Sequence, residues 1–149
     1  MPFITFGRIL FAVFFIYSGA TKLFGIQAAA DSIAAKVMIP ALLAPYVTQI
    51  ETATNMQFPQ LLAIAAGAFE VIAGLMIALN FGVRFFAILL IIFMMAATFY
   101  FDDFWNKAAP DNSNTLIDAL KNLSIIGALF MIAGFGRGRR PAEPAYGDL

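Results

Sequence analysis

Residues Leu61 to Leu79 form one apolar run, LLAIAAGAFEVIAGLMIAL, interrupted by a single carboxylate, Glu70. At about 1.5 Å per residue, a helix of this length just crosses a hydrocarbon core of roughly 30 Å. A carboxylate at mid-membrane costs on the order of 3 kcal/mol unless it is paired, protonated or hydrated. That cost dictates what Glu70 can face. Ala63, Gly67, Glu70 and Gly74 follow i, i+4, i+7, i+11 spacing, a small-residue stripe with one acid in it. Small residues let a neighbouring helix approach closely, so this face turns into a bundle and away from lipid. Two roles fit such an acid. It is a working group in an interior site, or it locks the helix in place through a salt bridge.

The remainder of the chain agrees with a membrane location. It is 62% hydrophobic and only 12% charged, with a mean hydropathy of +0.86, where a soluble domain is nearer half apolar and a quarter charged. There is no cysteine, so this chain carries neither a disulfide nor thiol chemistry. There is no histidine either, which removes the commonest metal ligand and the usual proton shuttle. No metal site is expected. The net charge is zero and no basic face forms, which argues against nucleic acid as a partner. The class is all-α, an integral membrane protein of one small domain.

Taken in order, the first span covers about Phe3 to Phe24, with an uncharged core Ile9 to Ala20 between Arg8 and Lys22. A signal peptide is the competing reading, with Ser18-Gly19-Ala20 as its cleavage site. The flanking residues extend the span to membrane length, which favours a retained helix. Gln27 to Met38 is alanine-rich with Asp31, Ser32 and Lys36 interspersed, and suits a short helix lying in the membrane interface. Pro40 and Pro45 then break the chain, and Thr48 to Gln57 reads as polar loop. Pro59 opens the second span. Gly82 follows it in a tight turn. The third span is Phe85 to Phe101, with Thr98 its polar group of note, and Asp102 to Thr115 reads as loop with Trp105 at the membrane edge. The fourth runs from about Leu116 to Phe135. The four-helix domain therefore covers residues 1–136, and GRGRRPAEPAYGDL leaves 137–149 as a tail whose Gly, Pro and charge predict disorder.

Basic residues set the orientation. Arg8, Arg84 and the Arg137, Arg139, Arg140 group all fall on one side of a four-span chain, and the positive-inside rule makes that side cytoplasmic. Both termini are then inside.

Depths can be compared across the spans. Lys22 is fourteen positions from Arg8, Thr98 fourteen from Arg84, and Lys121 fourteen from Phe135. All three therefore lie roughly 21 Å above the cytoplasmic end. Glu70, nine positions from Leu79, lies about 13 Å up, within reach of a lysine stem. Arg8, Ala12, Phe15, Gly19 and Lys22 share one face of the first helix. The arithmetic predicts one interior polar layer of Lys22, Glu70, Thr98, Lys121 and Asn122 opening outward. The alternative is that the two lysines snorkel to the outer surface.

The pattern resembles the DoxX family of small four-helix membrane proteins. The resemblance rests on Arg8, on Ser18-Gly19-Ala20-Thr21-Lys22, and on Gly67-Ala68-Phe69-Glu70 with Gly74. It continues through Arg84, Phe101-Asp102-Asp103-Phe104-Trp105 and Lys121-Asn122-Leu123-Ser124-Ile125-Ile126-Gly127, covering roughly residues 3 to 140. Similar sequences often carry a histidine in the FxxFW stretch, where this chain has Asp102, so a histidine-dependent role does not carry over. The family resemblance implies a bacterial inner-membrane protein, and a membrane subunit of a thiosulfate:quinone or thiol-redox system. No cofactor is encoded; quinone is the implied ligand, with membrane lipid and a redox subunit or other membrane protein as partners.

On that reading Glu70 is the proton-handling group. Lys22, Lys121, Asn122, Thr98 and Ser18 bind a quinone head group or a small oxyanion, and Arg8 and Arg84 are structural charges. A carboxylate beside a bound ligand can exchange a proton with it, and lysines attract an anion. The alternatives are a non-catalytic accessory subunit packed against a larger complex, and a small proton-coupled exporter, which would have less use for two opposing lysines.

Overall fold

A computed structural model describes residues 2–135, and these contain helices and no strands. The tail assigned to 137–149, with Arg137, Arg139 and Arg140, lies outside the described residues. Six α-helices follow in order: α1 Pro2–Phe24, α2 Ile26–Lys36, α3 Ala44–Thr54, α4 Phe58–Ala78, α5 Val83–Phe101 and α6 Asp111–Phe135. α1, α4, α5 and α6 are long and apolar enough to cross a membrane. At 11 residues each, α2 and α3 reach only about 16 Å and cannot.

The connection between the first two spans corrects the sequence expectation. One short helix was predicted there and two are present, because Thr48 to Thr54 is helical and not loop. Pro45 does not break the chain; it falls in the first turn of α3, where a missing N–H costs nothing. The hydroxyls of Thr48, Thr52 and Thr54 donate back to the carbonyls of Ala44, Thr48 and Ile50 at 2.7 to 3.0 Å. These polar side chains are thereby satisfied within the helix. The last span also begins earlier than Leu116, at Asp111. An acid in the first turn is favoured by the helix dipole, and the Thr115 hydroxyl bonds the Asp111 carbonyl at 3.0 Å. A 3-10 turn at Phe104–Asn106 shortens the preceding loop further.

The stripe on α4 faces inward as its spacing predicted: Ala63, Gly67, Glu70, Ala73, Gly74 and Ile77 are its buried residues. Its partner is α1, whose buried residues Ala12, Phe15 and Gly19 are the face between Arg8 and Lys22. The backbones nearly touch. A methyl group added at Gly67 would stand 2.9 Å from the Gly19 carbonyl, and one at Gly19 would collide with the Gly67 carbonyl in return. At Gly74 the same methyl would meet Ile16 at 3.0 Å and the Ala12 carbonyl at 3.2 Å. α5 and α6 form a second pair, and α4 packs on α5 to join the two. Each span contributes one fully buried large side chain to the core: Phe15, Ile77, Leu90 and Leu129. Outward positions such as Phe6, Tyr17, Phe85, Ile92, Phe99 and Phe130 remain exposed, the apolar surface that lipid tails demand.

Leucine at Gly67 or Gly19 should lower thermal stability in detergent far more than Leu79→Ala. Overpacking at a backbone contact costs about 1–3 kcal/mol or more, whereas Leu79 is 71% exposed. Similar melting temperatures for the three variants would contradict the close α1–α4 crossing.

Candidate functional site

Where α1 and α4 cross, their polar groups meet. Lys22 Nζ lies 3.0 Å from Glu70 Oε1 and 3.1 Å from Oε2. It also donates to the Ser18 hydroxyl at 2.9 Å, one turn back on α1. The pair is asymmetric in burial: the Glu70 side chain is 3% exposed and that of Lys22 31%. The carboxylate is thus held inside and the ammonium reaches in from a more exposed position. The i, i+4 relation of Ser18 and Lys22 puts both on the same face as Gly19's crossing point, and that crossing brings Glu70 within reach.

This group forms one wall of a cavity of about 550 Å³ between the two helix pairs. Phe14 and Phe15 of α1, and Phe93, Tyr100 and Phe101 of α5, supply its aromatic lining. Across from Glu70 lies a second polar pair, Asn122 of α6 donating to Asp102 Oδ2 at 2.6 Å. The short helix α2 packs on α4 and contributes Ile33, with Val37 just beyond its end, to the same cavity. α2 is held at both ends. Lys36 pairs with Asp103 at 2.9 Å, and Gln60 of α4 donates to Gln27 at 2.9 Å. A flat apolar ligand with polar edges suits such a space. Among the described residues no three acidic side chains converge as a ligand set.

Of the predicted polar layer, Lys22, Glu70 and Asn122 line this cavity, and so does Ser18 of the expected ligand-binding set. Lys121 does not. It faces outward and pairs with Asp118 of its own helix at 3.0 Å, with side chains 68% and 57% exposed. Its depth matched, but it stands one residue before Asn122 and therefore about 100° away around the helix. Thr98 is also absent from the cavity wall. Its hydroxyl oxygen is buried in packing without a hydrogen-bond partner among the described residues.

Arg8 and Arg84 stand at the opposite end of the bundle. Arg8 donates to the side chain of Asn80 in the α4–α5 turn, and Arg84 Nε donates to the Ala133 carbonyl at 2.9 Å. Each ties two elements together.

Sequence reasoning missed Asp102 and the aromatic wall. In the sequence Asp102 stands out only as the replacement for a histidine. Its place in the FDDFW stretch, one residue past a span, was the available signal.

The family model described as DoxX matches residues 3–103, which takes in α1 to α5, Glu70 and the Asp102-Asp103 pair. The match stops short of α6, so the Lys121 to Gly127 stretch that helped suggest the resemblance lies outside it. No curated protein and no solved structure matches the chain.

Glu70→Ala strands the Lys22 ammonium beside a hydrophobic crossing and should cost about 3 kcal/mol. Adding Lys22→Met should recover much of that loss, since no charge is then left unpaired. Lys121→Ala, removing an exposed pair, should cost under about 1 kcal/mol. Detergent unfolding of the single and double variants measures all three, and simple additivity of the first two would show that the pair is not coupled.

Proposed function

The chain belongs to the DoxX family of integral membrane proteins, and on that premise we propose a quinone-linked redox role for it. It works as a membrane subunit of a thiosulfate:quinone or thiol-redox type of system, in a bacterial inner membrane. Both termini and the Arg8–Arg84 end face the cytoplasm, as the positive-inside rule requires, and the cavity end faces outward.

The observation that carries this reading is the pairing of an aromatic-lined cavity of about 550 Å³ with a Lys22–Glu70 couple on its wall, its carboxylate buried and its ammonium half-buried. Aromatic side chains suit the faces of a flat ring, and an ammonium suits a carbonyl oxygen at the ring's edge. Reducing a quinone to a quinol consumes two electrons and two protons. Glu70 and Asp102 are the two carboxyl groups on the wall that can relay protons. The electrons come from a reduced sulfur compound or a redox partner subunit, because this chain has neither cysteine nor histidine to carry them. Lys22 orients the ligand while remaining bonded to Ser18 and Glu70.

One observation favours the accessory reading. Lys22 and Glu70 neutralise each other at the tightest helix crossing, which is what a purely structural lock would do.

Glu70→Gln separates the two readings. It preserves shape and one hydrogen-bonding edge but cannot carry a proton. Under the redox role the variant folds and assembles, and quinone reduction in native membranes falls by at least tenfold. Under the accessory role, assembly or melting temperature falls first. Solvent extraction of the purified wild-type protein should also recover bound quinone. Full activity in a well-folded Glu70→Gln protein would defeat the redox reading.

A further inference from the structure

The end of the bundle away from the cavity holds a second concavity that the redox role does not use. It is a groove of about 270 Å³ between the start of α1 and the end of α6. Its walls are apolar, with Ile4, Phe11, Met131 and Phe135 among them, and Arg8 is the charged residue that lines it. The arginine is incompletely satisfied. It bonds the neutral side chain of Asn80, and its Nε is buried with no hydrogen-bond partner among the described residues. Arg84, which follows the same turn, bonds only a backbone carbonyl. The three ion pairs among the described residues involve Lys22, Lys36 and Lys121, so neither guanidinium has a carboxylate partner there. A cation with no carboxylate partner among the described residues, facing an apolar slot at a membrane-protein surface, suits a ligand with an anionic head and a hydrocarbon tail.

We propose that this groove binds one anionic phospholipid, its phosphate on Arg8 and an acyl chain lying along Phe11, Met131 and Phe135. Charge complementarity selects the occupant. A zwitterionic lipid supplies the chain without a net charge, and a free phosphate supplies the charge without a chain. Arginine is suited to the head group because its planar donors match phosphate oxygens in pairs. Basic pockets between membrane helices hold anionic head groups by this chemistry. The site is independent of the cavity, so it stands whether or not a quinone binds.

Gly7 offers a test that spares the arginines. It lines the groove, and a methyl group added there would meet nothing within 4 Å. Gly7→Leu therefore has room for its Cβ and should extend a side chain into the groove. Native mass spectrometry of the full chain, released from micelles doped with phosphatidylglycerol or phosphatidylcholine, reads retention directly. The wild type should retain one phosphatidylglycerol in preference to phosphatidylcholine. R8Q should weaken that preference about fivefold. Gly7→Leu should weaken it with Arg8 present, and melting temperature in lipid-free detergent checks that each variant is folded. If R8Q fails to fold, Gly7→Leu carries the test. Equal retention of the two lipids by the wild type would overturn the proposal. So would inorganic phosphate competing as well as the lipid, which marks a free-anion site. Conversion of a dimer to a monomer by Gly7→Leu, with lipid retention unchanged, would give the groove to a second copy of the chain and overturn it as well.

Discussion

A carboxylate in the middle of a bilayer-length helix has few tolerable environments, and the structure supplies one of them. Glu70 is almost wholly buried and meets Lys22 through both of its oxygens at about 3 Å. Bringing the two groups together requires α1 and α4 to cross at near backbone contact, which Gly19 and Gly67 permit because neither has a side chain to hold the helices apart. The dependence runs in both directions. Without the glycines the charges are out of reach, and without the charges the crossing leaves a bare acid in an apolar interior. In lipid, where apolar burial provides no net attraction between helices, packing at such a contact and the ion pair within it carry the association.

The two ends of the bundle are chemically different. At one, side chains from five helices surround a cavity with ion pairs and hydrogen bonds among them, and Lys36–Asp103 holds α2 beside it. At the other, two arginines make only neutral contacts beside an apolar groove. Among the described residues, one end is neutralised internally and the other leaves its arginines without a carboxylate partner. This division follows from where the acids fall. Glu70, Asp102, Asp103 and Asp118 belong to the cavity half, and none of the described acids pairs with Arg8 or Arg84.

Height along a helix proved legible where direction around it did not. Lys121 and Asn122 have nearly equal depth, yet one lines the cavity and the other faces outward. The buried residues of α6, Thr115, Ala119, Ile126 and Leu129, define a stripe that includes position 122 and leaves out 121. Applying to α6 the face argument used for α4 would have separated them. The stretch 48–54 was misread for a different reason. Its threonines look like loop residues, but each hydroxyl bonds its own helix backbone, so polarity did not imply irregular chain.

By itself the sequence determined the four spans, the inward face of α4, the matching face of α1 and the need for a cation near Glu70. These follow from local quantities: hydrophobic length, helical period and the cost of charge in hydrocarbon. It did not determine which lysine answers Glu70, because two stood at suitable depth and only the rotation of α6 against α5 excludes one. Nor did it reveal that Asp102 and Asn122 bond across two helices, or that aromatic side chains of α1 and α5 enclose one cavity. Those depend on how four rods are turned about their own axes. That rotation is set by side-chain packing between helices distant in the chain, which no local period encodes.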